Sequence, residues 1–390
     1  MKIEMIFMRR YLAVIFLVFA TACSSEMEPE VPEDLSSLEN LSVYSGETSP
    51  LNDISLERQA RYGDTDDVYI GSMAGVAVAE DGTLYLADRT EAVIHVYSAA
   101  GEYQTTIGGK GEGPGEFLSV STPRLVDGEL YILDGQQRRV SVFDAEEFNY
   151  LRSHPVGSSG GGISGFPMIA QPLSDNQFLV IQNSIQRDDD TFYMRYVPSI
   201  FDSEGDTVRS EFVTFQRNPM HTVQSDNSIR LTSLSFMGET HVGFTTRNEI
   251  VSGFSDRFLF HIVSLDGDTL RSIYHSVTPP PLDRAEMLAD IEDETMRKDV
   301  GSMDIPESRP VYDSFFVDDE NRFWVELLTE DTDVNRWWIL AENGEKLAEF
   351  NQPASSRIMA VKNGYVYFLE TDEETGLQDV VKYGFVFGEA

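Results

Sequence analysis

Gly108–Asp144, GGKGEGPGEFLSVSTPRLVDGELYILDGQQRRVSVFD, is the stretch whose reading decides the fold. It runs as a glycine-rich connector, a short strand, a tight Asp127-Gly128 turn, a second strand, a polar turn and a third strand whose apolar run follows Arg139. Asp-Gly between alternating apolar residues marks a hairpin, because such turns need positive φ. The pattern repeats. Gly82 and Gly128, Tyr85 and Tyr131, Asp88 and Asp134, Val96 and Val142, and Tyr97 and Phe143 match at a shift of 46 residues. A fixed period of that size in a strand-rich chain points to a β-propeller.

Working outward, the first blade runs from Gly75 to Gly108 and the second from about Thr122 to Gly157. Later blades drift in length but keep the punctuation. The turn before the second strand recurs at Asp175-Asn176, Arg247-Asn248, Glu320-Asn321 and Asn363-Gly364, which makes six blades. The turn before the fourth strand recurs at Ala100-Gly101, Glu204-Gly205, Asp266-Gly267 and Asn343-Gly344, with Asp144 to Glu147 standing in for it in the second blade. The sixth blade, Arg357 to Phe387, lacks a clear fourth strand, and Asp53 to Tyr62 can supply it. That closure removes the open edges of the ring. The expected fold is all-β, a six-bladed propeller of four-stranded blades closed by an N-terminal strand, with a seven-bladed ring as the alternative. One insertion is helical. Asp283 and Glu286 form a capping pair, Leu288, Ile291 and Thr295 follow at helical spacing and Gly301 stops the run, predicting one helix of about 17 residues within 282–300.

The glycine-rich connector GxGPGxF and the strands after it resemble the NHL-type repeat and the six-bladed β-propeller lipoproteins of bacterial envelopes. The likeness is specific in the first two blades and architectural in the last four. It implies the propeller fold, but propellers host binding, structural and enzymatic roles alike.

Composition narrows the partners. A net charge of -37 excludes nucleic acid, whose backbone needs a basic surface. Only six of the 29 basic residues are lysines, a balance that keeps a surface hydrated in salt. Cys23 is the single cysteine, so no disulfide forms within the chain and no cysteine-based metal site exists. Arg9 and Arg10, the apolar run Tyr11 to Ala20 and the small residues Thr21 and Ala22 precede it, in the order of a secretory signal. Ala20-Thr21-Ala22-Cys23 resembles the bacterial lipobox. The resemblance implies cleavage after residue 22, lipidation of Cys23 and a place in the cell envelope, with Ser24 favouring the outer membrane. A plain secretory signal or a short anchor is the alternative. Residues 23–51 are acidic and proline-interrupted, predicting a lipidated tether, and 52–390 form the propeller.

Candidate chemistry gathers on the face that carries the inter-blade connectors and the turns between second and third strands. Its long segments are Gly109 to Ser121, Gly157 to Phe166, Gln216 to Arg230 and the helical insertion. Gly108 to Gly115 lacks the order of a phosphate loop, and Ser159, although in a GxSxG string, has no helix after it. Acidic groups at Asp188 to Asp190, Asp331 with Asp333, and Asp372 with Glu373 and Glu374 suit calcium in principle but read first as solvated surface. The six histidines lack HxH or HExxH spacing. His95, His261 and His275 fall in strands, which leaves His221, in a connector, as the freest. Arg124, Asp313 and Arg357, near the starts of innermost strands, are placed to face the channel mouth, with ion pairing between blades as the alternative. Phe258 to His261 and Trp337-Trp338 read as packing between blades before they read as a sugar platform.

The expected role is a binding or scaffolding module held at the membrane by its lipid, with an envelope protein or a carbohydrate as partner and no cofactor. Two alternatives stand beside it: a metal-dependent lactonase or lyase using calcium or zinc in the channel, and a carbohydrate-binding accessory protein of a surface uptake system. If acidic self-repulsion limits stability, the melting temperature rises from dilute buffer to molar salt. An unchanged midpoint would contradict this.

Overall fold

The computed structural model describes residues 31–46, 48–65, 68–157, 165–189, 191–225, 228–234, 236–372 and 375–388, and excludes the side chains of 223–230. Six antiparallel sheets form a ring. Blade 1 consists of Met73–Val78, Leu84–Asp88, Val93–Tyr97 and Tyr103–Gly108, from the channel outward. Blade 2 is Arg124–Val126, Glu129–Asp134, Arg139–Asp144 and Tyr150–Pro155, and blade 5 is Tyr312–Val317, Phe323–Leu327, Val334–Leu340 and Lys346–Pro353. In blade 6, Arg357–Lys362, Tyr365–Thr371 and Gln378–Phe387 are completed by Ile54–Tyr62, paired antiparallel from Ile54 with Phe387 to Tyr62 with Val380. The N-terminal strand therefore closes the ring, as the missing fourth strand predicted.

The turns explain why the punctuation is legible. All six connections between first and second strands carry left-handed residues: Gly82, Asp127, Asp175, Asn248, Asn321 and Asn363 have φ between 51° and 87°. Asn, Asp and Gly tolerate that region best. The turns between third and fourth strands use glycine for a second reason. A Cβ on Gly101 would lie 2.2 Å from the Arg61 carbonyl oxygen, and one on Gly267 would lie 2.4 Å from that of Phe212. Each such turn therefore touches the chain arriving from the blade before it.

The repeated aspartates have a structural task. The Asp88 carboxylate accepts backbone N–H groups from Gly71 at 2.9 Å and Thr90 at 2.8 Å. Asp134 accepts from Leu118 at 2.7 Å and from Gln136 and Gln137 at 3.0 Å. Both side chains are fully buried, and each ties the incoming connector to its own blade's second turn. The glycine-rich connector is held likewise. Arg139 donates to the carbonyls of Gly113 and Glu116, both at 2.7 Å, and Phe117 is wholly buried. Its glycines serve the close path of the chain.

Blade 3 differs from the expected pattern. Its second and third strands, Phe178–Asp188 and Thr191–Phe201, are 11 residues each. The far end of that hairpin pairs with Asn218–Ser225, which in turn pairs with Ser228–Thr232. Gln216 to Arg230, read as a connector, thus belongs largely to a sheet that projects from the ring. Asp189, in the left-handed region, starts the tight turn that lets the long strands pair.

Two further expectations need correction. The helical insertion is a pair, α1 (Arg284–Asp290) and α2 (Glu294–Gly301), with Ile291 in extended conformation between them. Asp293 caps the second helix by accepting the Met296 N–H at 2.9 Å, and Arg297 takes the Ile291 carbonyl at 2.8 Å. The capping residue inside the periodic run breaks it. Nor are the described residues from Asp34 to Leu51 a free tether. Leu35 is buried, Asp34 pairs with Arg257, and Leu41–Ser45 adds a parallel strand to the outer edge of blade 4, whose other strands are Thr240–Phe244, Ile250–Phe254, Leu259–Val263 and Thr269–Ser276. The strap continues over blade 5. The Tyr44 hydroxyl donates to the Asn343 carbonyl at 2.9 Å, Lys346 Nζ donates to Thr48 O at 3.2 Å, and Asn52 N donates to Leu347 O at 2.9 Å.

His275 lies under this strap. Its ring stacks on Tyr44 with centroids 4.9 Å apart, Nε2 donates to the Gly344 carbonyl at 2.9 Å, and Nδ1 has no partner. Burial pushes its pKa down from 6.5 to about 4. The unfolded chain takes up a proton here that the folded chain refuses. The contribution of His275 is complete above pH 6.5 and is lost as pH falls toward 4, by up to about 3 kcal/mol. Denaturation midpoints at pH 7 and pH 4.5 should therefore converge in His275→Gln relative to the parent. Equal pH sensitivity of the two proteins would contradict this.

Candidate binding cleft beneath the helical insertion

The connectors around blade 4 are longer than the rest, and their excess length builds a cleft. Residues 233–239 enter the blade and 277–311 leave it, with both ends of the excursion pinned. Leu282 N donates to Glu307 O at 3.0 Å, Arg309 N to Pro280 O at 2.9 Å, and Val311 N to Ser255 O at 2.7 Å. Ser255 does in blade 4 what the aspartates do in blades 1 and 2, accepting the Glu239 N–H at 2.9 Å. The helices rest on a small core of their own, formed by Leu234, Phe236 and Val300 with Met287, Leu288, Ile291 and Met296 against it. Between the helices and the ring lies a cleft of about 940 Å³.

Its wall is apolar where the helices and the 233–239 connector meet, through Leu234, Phe236, Met237, Met287, Ile291 and Met296. On the ring side it is polar. Glu239 and His241 come from the start of blade 4, Tyr312 and Asp313 from the start of blade 5, and His241 packs against Tyr312 with centroids 5.4 Å apart. Burial raises the Glu239 pKa; the Ser233 hydroxyl opposes the shift and the Asp313 charge adds to it. Burial lowers that of His241 and disfavours its charged form, and Asp313 opposes the shift. Glu326 is buried at the same mouth of the channel. It accepts from Ser314 and from Asn335, each at 2.6 Å, and burial raises its pKa despite these bonds.

The candidates named from sequence separate in space. Asp313 and Arg357 are exposed near one another at this mouth, where Asp313 raises and Arg357 lowers the pKa of Glu326. Neither forms an ion pair within 4 Å among the described residues. Arg124 is elsewhere. It precedes the turn between first and second strands, so it sits at the opposite mouth, and its guanidinium lies 5.9 Å from the ring centre of Phe244 on blade 4. It is half-buried, and desolvation lowers its pKa. His221 lies on the projecting strand Asn218–Ser225, not in a connector, with Nε2 buried and unpartnered.

Other candidates resolve into structure. His95 bonds Thr106 at 3.0 Å and His261 bonds Ser272 at 2.8 Å, both across neighbouring strands. Phe258, Phe260, Trp337 and Trp338 are buried between blades and offer no face to a sugar. Asp188 pairs with Arg217 at 3.3 Å, Asp331 accepts the Asp333 N–H at 3.0 Å and Asp372 accepts that of Thr375 at 2.8 Å. Among the described residues, no three His, Cys, Asp or Glu side chains are grouped to hold a metal ion. No helix among them is long and apolar enough to cross a membrane. Cys23, Ser159, Asp190, Glu373 and Glu374 lie outside the described residues. Sequence reading missed Glu239, His241 and Glu326. Each stands in an ordinary-looking strand or connector, and only the ring brings them to one mouth.

Comparison with known proteins agrees with the fold. Residues 64–229, from just after the closing strand through blade 3 and most of its projecting sheet, match the family model described as 6-bladed beta-propeller, DUF5128. No curated protein matches the chain. Among solved structures, a member of the duf4221 family from Bacteroides vulgatus aligns over 87% of this chain and 100% of its own, at 12% identity and a TM-score of 0.55. An exported protein from Bacteroides fragilis aligns over 89% of this chain and 99% of its own, at 11% identity and a TM-score of 0.52. At such identities the likeness concerns the fold alone. The chain is a six-bladed β-propeller.

A desolvated guanidinium without a carboxylate costs stability. Arg124→Met, similar in length and apolar, should melt at or above the parent temperature, with a gain of up to about 2 kcal/mol. A clear drop in the midpoint would show that Arg124 has a stabilising partner in the channel.

Proposed function

We propose that this chain is a lipid-anchored envelope protein whose propeller is a binding module, with the cleft beneath α1 and α2 as its ligand seat. The observation that carries this reading is the cleft itself. Pockets of a few hundred to about 1,000 Å³ that are mainly apolar, with a few convergent polar groups, are the usual form of a small-ligand site. Its apolar wall is built from segments that the ring does not need for closure, and its polar wall from the first residues of blades 4 and 5.

The strap relates the cleft to the membrane. The chain docks at Asp34, against the Arg257 turn, which shares its face of the ring with the inter-blade connectors. If Cys23 carries lipid, the interval from Cys23 to Asp34 spans at most roughly 40 Å even when fully extended. The head is then held with its cleft-bearing face toward the membrane and within reach of it. Two acyl chains, at about 0.8 kcal/mol per buried methylene, hold such a protein stably.

Photo-crosslinkers at Met287, in the cleft, and at Asn363, on the opposite face, test the reading in intact cells. The expected result is membrane-fraction protein with a discrete adduct from Met287 only, and loss of both the fractionation and the adduct in Cys23→Ala. Equal adducts from the two positions would contradict a cleft-centred role, and identical fractionation of Cys23→Ala would contradict the anchor.

A further inference from the structure

The walls of the cleft specify more than its size. Among its described residues, six carboxylates, those of Glu239, Asp283, Glu286, Asp290, Asp313 and Glu330, stand against a single cation, Arg309. The guanidinium of Arg309 already donates to the Thr329 carbonyl at 3.2 Å. Asp283 is committed to capping α1, with its carboxylate accepting the N–H groups of Ala285 at 2.8 Å and Glu286 at 3.1 Å. Glu239 and Asp313 are different. They approach from neighbouring blades, each within electrostatic range of the other, and neither has a basic partner within 4 Å among the described residues.

Two like charges brought to one wall repel, and Glu239, half-buried beside apolar surface, is screened less than the exposed Asp313. Burial disfavours the charged form of the nearby His241, and Arg357, at the same mouth, pairs with neither carboxylate within 4 Å among the described residues. The remaining wall, from Leu234 and Phe236 across to Met287 and Met296, is shaped for hydrocarbon, and methionines adapt readily to varied shapes. A ligand that places a positive group between Glu239 and Asp313 and an apolar body under the helices satisfies both halves at once.

We infer that the cleft selects organic cations with an apolar body, seating the positive group between Glu239 and Asp313 and the hydrocarbon against Leu234, Phe236, Met287 and Met296. This rests on the binding-module reading above and adds the chemistry of the ligand. Anionic amphiphiles meet net repulsion in the same cleft. Neutral ones gain the apolar contact alone.

Titration calorimetry on the folded chain with submicellar decyltrimethylammonium, decyl maltoside and decyl sulfate separates the possibilities, since the three probes share one tail. The expected order is the ammonium first, the maltoside weaker and the sulfate undetectable. Glu239→Gln and Asp313→Asn should each weaken the ammonium on the order of tenfold, the equivalent of one charge contact, while leaving the maltoside unchanged. Met287→Gln, which removes hydrocarbon and no charge, should weaken ammonium and maltoside by the same factor. Unchanged melting temperatures confirm that each variant is folded. Equal binding of all three probes, still sensitive to Met287→Gln, would overturn the charge selection and leave the cleft as a binding site. Absence of any binding that responds to Met287→Gln would overturn both.

Discussion

The ring depends on one non-local pairing, Ile54–Tyr62 against Gln378–Phe387. Without it, the last blade offers an open edge, and the first and last blades meet with no strand shared between the two ends of the chain. The segment just before it adds a second restraint. The strap lies along the edge of blade 4 and over blade 5, so the N-terminal region holds three consecutive blades from the outside. Tyr44 stacked on His275, and Lys346 lying 3.8 Å from the Trp338 ring centre while it pairs with Glu349 at 2.8 Å, seal the joint between blades 4 and 5. Closure of the ring and bracing of blades 4 and 5 are therefore served by one continuous stretch.

With the ring fixed in this way, variation is free to accumulate in connectors. Blades 1 and 2 have short second turns, and their buried aspartates bind the incoming chain tightly. Around blades 3 and 4 that economy lapses. A projecting hairpin pair rises from blade 3, a helix pair bridges blades 4 and 5, and the cleft opens beside them. The helices bury little against the propeller core, since α1 has no fully buried residue, and they sit mainly on Leu234 and Phe236. Low burial of this kind is expected of elements that move on ligand entry.

Much of the architecture is legible in the chain because its signals are local. Asp-Gly and Asn-Gly turns demand left-handed backbone, alternating residues face alternate sides of a strand, and the 46-residue shift between Tyr85 and Tyr131 preserves both. The closing strand was inferable by counting, since blade 6 lacked a partner. The cleft was much less legible. Glu239 and Asp313 are 74 residues apart in the sequence, and no periodicity marks their meeting. Asp313 and Arg357 stand at the connector-side mouth because they begin innermost strands, whereas Arg124 begins the short first strand of blade 2 and falls close to the far turn. The helix break at Ile291 hid within a run of Glu and Asp where one aspartate, Asp293, takes a capping role.

Hydrogen exchange on the full chain in native membrane vesicles, set against the purified head, tests the account most directly. If the cleft face is where the protein meets its ligand, amides of 233–241 and 284–301 exchange more slowly in the vesicles, while the turns at Asp127-Gly128 and Asn363-Gly364 are unchanged. Protection confined to those turns, or none at either face, would contradict a binding role for the cleft.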